Sequence, residues 1–358
     1  MLKYDVSEKD FSDFEKTIPP KNIRYYDEVL DEEFVIKDFM KADVWDVSVD
    51  AKKYALKFSR IPAYIEKATK IHLAYYILDS KVPAAVDSFT SLVAFFEHIN
   101  FDMSCVDIFE LKANFLEWLN CGKAVEHYAS MVRIFLAFLA ENNFGILKKT
   151  YVAQIKNWPV PKVIKNARAI NGSYKLSLYE EFKINQYLES EIEHFSKPLA
   201  KPNNGNTKRL LEATIVALCM SFGLRPKQLA MLKVGSIQKF GNADEYYDIA
   251  VPIIKQKHKK KDFFRKALPS KWQLLIIKWW EFKKSCSKPE KYTSTPLLSL
   301  TTEANTGLYF TIITKEVTAR LTLESKTAYH FRHTFAQRMA DSGASAAEIS
   351  VALNTDHY

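Results

Sequence analysis

Cysteine is scarce: Cys105, Cys121, Cys219 and Cys286 are the only four in 358 residues, and they lie far apart. None forms a CxxC pair, which excludes a disulfide framework or a thiolate zinc site as the organising feature. They read as reduced, mostly buried thiols of a cytosolic protein. Long apolar runs are missing as well. No stretch reaches the roughly 20 residues that span a bilayer, and no signal-peptide pattern opens the chain. There is no Walker A phosphate loop and no cluster of metal-ligand residues, so neither a nucleotide cofactor nor a metal is expected. What is present is ample material for packed cores, 47% hydrophobic and 13% aromatic, over a length that calls for two or three of them.

Charge is unevenly spread. The chain carries a formal +9, yet residues 1–50 hold 14 acidic and 7 basic side chains, so the remainder carries +16. A positive body favours a polyanionic partner, although the same surplus also serves solubility. Within the acidic region Phe34–Phe39 and Val44–Val49 alternate as strands do, and Pro19-Pro20 punctuates it. Residues 1–60 read as an appended extension whose acidity argues against direct contact with nucleic acid.

From Ile61 to Leu147 the apolar period becomes helical, with Leu92, Phe95, Phe96 and Ile99, then Phe115, Trp118 and Leu119, then Met131, Phe135, Phe138 and Leu139. This predicts a bundle of four or five helices over residues 61–155. Lys112, Lys123, His127 and Arg133 fall at its polar positions, as DNA contacts or as an ordinary solvated face. Residues 156–175 read as a linker: Pro159, Pro161 and Gly172 break structure. Lys156, Lys162, Lys165, Arg168 and Lys175 face no acid in that window, as suits a tether along a phosphate backbone. A second fold, residues 176–358, opens at Ser177-x-x-Glu180, the spacing of a helix capping box.

Three stretches of the second fold bear on chemistry. A buried helix through Leu211, Ile215 and Leu218 ends at Gly223, followed by Leu224-Arg225-Pro226-Lys227-Gln228; glycine suits the cap and proline the next first turn. Arg225 thus sits in a tight turn, as a phosphate clamp or as a surface arginine near a cap. Next, Tyr246–Ile254 and Phe263–Pro269 read as a β-hairpin whose tip carries Lys255, Lys257, Lys259, Lys260 and Lys261. Residues 255–266 hold seven basic groups against one acid, a density that points to nucleic acid. Ser270 is read as the cap of the helix that follows. The last stretch is Tyr329-His330-Phe331-Arg332-His333-Thr334-Phe335-Ala336-Gln337-Arg338. There, Phe331, Phe335 and Met339 recur every four residues as a core-facing stripe, leaving the polar groups to emerge together at a helix start that favours an anion. A basic, aromatic amphipathic helix is the alternative.

In this order, behind a helical bundle and a basic linker, Gly-Leu-Arg, a lysine-tipped hairpin and Arg-His-Thr-Phe-Ala resemble the tyrosine recombinase (phage integrase) family over residues 61–358. The resemblance implies a mainly α fold with a small β-sheet, in which a helical core-binding domain and a mixed catalytic domain close like a C-clamp on duplex DNA. It further implies a site-specific recombinase of a mobile element, a dimer on its site and a tetramer in synapsis, with other recombinases of the same element as further partners. A tyrosine would attack the scissile phosphate to give a 3′-phosphotyrosine and a free 5′-hydroxyl, with neither ATP nor metal.

Carried over by motif, Arg225 and Arg332 would hold the non-bridging phosphate oxygens with His333 in support, since fork-shaped, permanently charged guanidiniums match the charge of a phosphorane. Lys257 would protonate the leaving 5′-oxygen, with Lys255 and Lys261 as alternatives. Lys227, Lys259 and Lys260 join the DNA contacts. This chain departs from the family pattern at several positions. Tyr329 stands where a histidine is usual and can still donate a hydrogen bond. Gln228 replaces a carboxylate, and Leu353-Asn354-Thr355 replaces Leu-Gly-His, with His357 nearby. Tyr358 sits too close to Thr355 to match the family's nucleophile, so the nucleophile is not expected within this chain and a shortened form of a longer enzyme is. The expected behaviour is DNA binding without a covalent adduct. A non-catalytic DNA-binding relative, or an unrelated helical nucleic-acid-binding protein, are the competing readings.

Overall fold

A computed structural model describes residues 20–99, 106–121, 126–161, 174–197, 204–241, 246–254, 262–322 and 324–353. The chain forms two compact units, one of Met1–Asp27 with Glu32–Lys165 and one of Glu28–Asp31 with Asn166–Tyr358. It is mainly α-helical, with small antiparallel sheets. No helix among the described residues is long and apolar enough to cross a membrane.

The first unit opens with two hairpins. Strand β1 (Ile23–Asp27) pairs antiparallel with β2 (Glu32–Ile36), in register from Ile23↔Ile36 to Asp27↔Glu32. Strand β3 (Val44–Val49) pairs with β4 (Lys52–Lys57). Of the expected stretch Phe34–Phe39, the part after Ile36 is a turn, with Asp38 at φ 44°. Strand β1 was hidden in the sequence because its inward alternation ends on an acid. Asp27 is buried, its carboxylate accepting from Ser48 Oγ at 2.6 Å and the Ala51 amide at 3.0 Å. Part of the region's acidity is therefore internal structure.

Helices α1 (Ala63–Leu78), α2 (Val82–Phe96), α3 (Ile108–Asn120), α4 (Glu126–Glu141) and the short α5 (Val152–Lys156) complete this unit. Aromatic edges bind the hairpins to the bundle: Trp45 meets Phe58 at 4.9 Å between centroids, and Phe58 meets Phe89 at 5.5 Å. At the bundle centre His72 is walled by Tyr76, Phe135 and Phe138. Its Nε2 has no hydrogen-bond partner, and burial pulls its pKa down to about 3, so it is neutral at pH 7.

The second unit is built on two long helices. α6 (Leu178–Ser196) starts with the expected box, the Ser177 amide donating to Glu180 Oε2 at 2.8 Å and the Glu180 amide to Ser177 Oγ. α7 (Asn204–Phe222) is the central helix; Leu211, Ile215, Leu218 and Cys219 are fully buried. After α8 (Pro226–Met231) comes a three-stranded antiparallel sheet in the order β5 (Ile237–Phe240), β6 (Tyr246–Pro252), β7 (Phe263–Ala267). Register runs from Ile237↔Ile249 to Phe240↔Tyr246, then from Asp248↔Ala267 to Pro252↔Phe263.

Helices α9 (Gln273–Ser285), α10 (Gly307–Thr322), α11 (Ala328–Asp341) and α12 (Ala346–Ala352) follow. Ser270 does not cap α9. The chain makes another turn first, the Trp272 amide donating to Pro269 O at 3.2 Å, and the N-cap is Trp272 with no side-chain capping bond. The indole N–H groups of Trp279 and Trp280 then donate to Leu297 O (2.8 Å) and Val234 O (2.9 Å), pinning α9 to two loops. The cysteines are less buried than expected: among the described residues Cys219 is buried, its thiol pushed up to about 12 by burial, whereas Cys121 and Cys286 are exposed.

Candidate functional site

The end of α7 sets the site. Gly223, at φ +58°, turns the chain out of the helix, and its amide donates to Cys219 O at 3.0 Å. It is also a point of close approach. A Cβ there would lie 3.1 Å from Phe335 Cβ, 3.2 Å from the Arg332 Cα and 3.2 Å from Leu353 Cδ2. The absence of a side chain lets α11 and the end of α12 come down onto this turn. Two residues on, Arg225 is the N-cap of α8 in extended backbone, with Pro226 in the first turn. Gln228 is fully buried and holds Arg225 from below. Its Oε1 accepts from the Arg225 amide at 2.9 Å, and its Nε2 donates to Pro252 O, at the end of β6, also at 2.9 Å.

Helix α11 is rotated from the expected orientation. The stripe Phe331, Phe335, Met339 is deeply buried only at Phe331; Ala328, Arg332 and Thr334 take the other inward positions. Arg332 does not emerge with its polar neighbours at a helix start but lies beneath them. Its Nη1 donates to Gly223 O at 2.8 Å and its Nη2 to Leu353 O at 2.9 Å. The first turn is closed instead by Thr327 and His330, whose Nδ1 accepts from the Thr327 amide at 3.1 Å.

Arg225 and Arg332 form a like-charged pair. Burial brings Arg332 down to about 10, and the charge of Arg225 acts in the same direction; Tyr329 opposes both. Burial also lowers Arg225, again with Tyr329 opposing, and Arg225 Nη1 is buried without a partner. Among the described residues neither guanidinium is paired with a carboxylate. Two other, more exposed arginines of the unit behave differently. Around a cavity of about 290 Å³ lined by Tyr187, Arg209, Arg320 and neighbours, Arg209 meets Glu191 at 2.6 Å and Arg320 meets Glu212 at 2.5 Å. Each of those two guanidiniums already has its carboxylate; among the described residues, those of the Arg225–Arg332 pair have none.

A third cation joins the pair from β7. Lys266 faces the same side of the sheet as its partner Ile249, with its ammonium 5.8 Å from the ring centroids of both Phe222 and Phe264, and donates to Ala352 O. Burial, with Arg332 adding to it, holds this amine down to about 8. Lys266 was counted in the basic run but not singled out; its place on the inward face of a strand whose other face carries Arg265 was the available signal. Tyr329 is half exposed at the mouth of the pair. His333 is surface-facing, set edge-on to Tyr174 at 5.4 Å, with its pKa lowered by partial burial and by Arg332.

Several expected DNA contacts are internally engaged. Arg133 donates to Trp158 O at 2.8 Å, Lys156 ends α5 and meets Glu141 at 2.8 Å, and Lys227 meets Glu28 at 2.7 Å. Lys112 is partly buried on α3. Lys123, Lys162, Lys165, Arg168, Lys255, Lys257, Lys259, Lys260, Lys261, Thr355, His357 and Tyr358 lie outside the described residues.

The arrangement of helices around a three-stranded sheet, with the turn after α7 and the start of α11 brought together, is the tyrosine-recombinase fold. No protein-family model and no curated protein matches the sequence. Among solved structures, the chain is similar to the XerH site-specific recombinase bound to its difH substrate in a pre-cleavage complex. The identity is 14%, 81% of this chain and 79% of that chain are covered, and the TM-score is 0.51. It also matches the XerA recombinase at 11% identity over 81% of this chain and 90% of that one, with a TM-score of 0.35.

Proposed function

We propose that the protein is a site-specific DNA recombinase that binds duplex DNA and holds a backbone phosphate between Arg225 and Arg332. The observation that carries this reading is a pair of guanidiniums, Arg332 buried and Arg225 half-buried, that have no carboxylate among the described residues, with Arg225 Nη1 buried and unpartnered. Such a pair costs free energy until an anion arrives, and a phosphate diester supplies two non-bridging oxygens for fork-shaped donors. Tyr329, at the mouth, is a hydrogen-bond donor to one of those oxygens. The fold shared with the XerH recombinase, which was solved on its DNA substrate, supports the same reading. The chemistry that follows is strand transfer through a 3′-phosphotyrosine: a tyrosine oxygen attacks phosphorus, the P–O5′ bond breaks, and a hairpin lysine, Lys257 foremost, gives the departing oxygen its proton.

A second reading, a DNA-binding relative without cleavage, is favoured by one feature. Among the described residues the tyrosine beside the guanidiniums is Tyr329, and it occupies the donor position. The test uses duplexes selected from a random pool by this protein, then nicked at successive positions so that a cleaved strand escapes. This chain is expected to retain duplex DNA. An adduct resistant to denaturant would establish cleavage and end the second reading; failure to retain duplex DNA at low salt would end both.

A further inference from the structure

Helix α12 buries none of its side chains. Its last carbonyls are nonetheless taken up by two cations of the second unit: Lys266 donates to Ala352 O and Arg332 Nη2 to Leu353 O. The ammonium of Lys266 lies near the rings of Phe222, from the end of α7, and Phe264, on its own strand. Arg265, its neighbour in sequence, turns to the other face of the sheet and meets Asp248 at 2.8 Å. The acid of α12, Glu348, is engaged at the opposite end with Ser345. Among the described residues Lys266 therefore has no carboxylate partner, and its hydrogen bond goes to a helix end. The final carbonyls of a helix lack intrahelical donors and carry partial negative charge, so a cation placed there satisfies both.

We propose that Lys266 is a positioning residue: with Arg332 it clasps the carbonyls of residues 352 and 353 and fixes where the chain leaves α12, beside the Arg225–Arg332 pair. Because α12 has little packing of its own, these two donors rather than apolar burial decide whether its end is held. The proposal rests on the phosphate reading for its consequence, since Thr355 and His357, singled out in the sequence as site groups, follow directly. The clasp itself is a property of the unliganded fold.

Amide hydrogen exchange over residues 346–353 tests it on the 358-residue chain. Lys266→Met keeps the stem and removes the donor; protection there should fall about tenfold, the scale of one hydrogen bond from a charged donor, while amides of α7 stay unchanged. Lys266→Arg, which keeps a charged donor, should restore most of the protection. Protection in Lys266→Met equal to wild type overturns the proposal, and so does an equal loss in Lys266→Arg with α7 intact. Should Lys266→Met also loosen α7, the comparison of Lys266→Arg with wild type decides alone. Thermal shifts with inorganic phosphate on wild type and Arg225→Met report separately on the anion site. No shift in wild type would sink the phosphate reading and leave the clasp standing.

Discussion

Arg225→Met should stabilise the protein and weaken its hold on DNA at the same time. Two terms favour stability. Burial first, and then the charge of Arg225, hold Arg332 below its ordinary range. Relief of the repulsion between two like charges in a partly screened place is worth on the order of 1 kcal/mol. Arg225 Nη1 is buried without a partner, and replacing an unsatisfied donor by an apolar group of similar reach returns roughly 1 kcal/mol more. Methionine keeps much of the aliphatic packing. The sum, about 2 kcal/mol, raises the melting temperature of a unit this size by about 4–8 °C. Against this, loss of a charged hydrogen-bonding partner for phosphate should weaken duplex binding roughly 10- to 100-fold and lower the salt slope by about one. Differential scanning fluorimetry and a salt titration of binding to a fluorescent duplex measure the two effects on one preparation. A lower melting temperature with unchanged DNA affinity would refute the reasoning, because it would make Arg225 a structural arginine. Stability and binding moving in opposite directions is the signature of a charge kept for a ligand.

Two further predictions follow from buried polar groups. Gln228→Glu should destabilise by about 2–3 kcal/mol near neutral pH, because it replaces the donor to Pro252 O by a second acceptor in a fully buried place. Urea denaturation would measure this, and an unchanged midpoint would show that the amide bond to β6 is dispensable. For His72 the folded-state pKa is depressed, so its contribution is full above about pH 6.5 and is lost as pH falls towards 3. At pH 4.5 this loss amounts to roughly 3 kcal/mol. His72→Phe should flatten the pH dependence of unfolding between pH 7 and 4.5, and an identical slope in the variant would mean that other groups carry it.

What could be read in the sequence was local. Ser177 with Glu180 and Ser345 with Glu348 lie three residues apart and need nothing beyond their own turn, so their capping boxes appear as expected. The mainly α fold with a small sheet, and the hairpin of β6 and β7, follow from periodicity that each segment carries within itself. The depth of Arg332 was not legible, because a stripe of Phe331, Phe335 and Met339 predicts an arginine on the flank. The helix turns instead because Gly223 leaves room for Arg332's backbone and two carbonyls accept its guanidinium. Gln228 looked like a weakened substitute for a carboxylate, and its second partner, Pro252, lies 24 residues away. Lys266 was submerged in a run of seven basic residues over 255–266. Each of these depends on a partner distant in sequence, which no local pattern contains.

Gly223 and Arg332, joined by one hydrogen bond, are 109 residues apart. The guanidinium pair therefore does not exist in any fragment that ends before α11, however well α7 and the sheet have formed. On a ribosome, where the chain emerges from its N-terminus, the lysine-rich hairpin is exposed to polyanions well before Arg332 closes back on Gly223. Closing so wide a loop is set by topology, not by local propensity, and comes late among folding events. On the proposed function, a nascent or partly unfolded copy would carry the positive charge that attracts nucleic acid but not the geometry to grip one phosphate. Its binding would be loose and salt-labile, and a specific grip would come only with the completed fold.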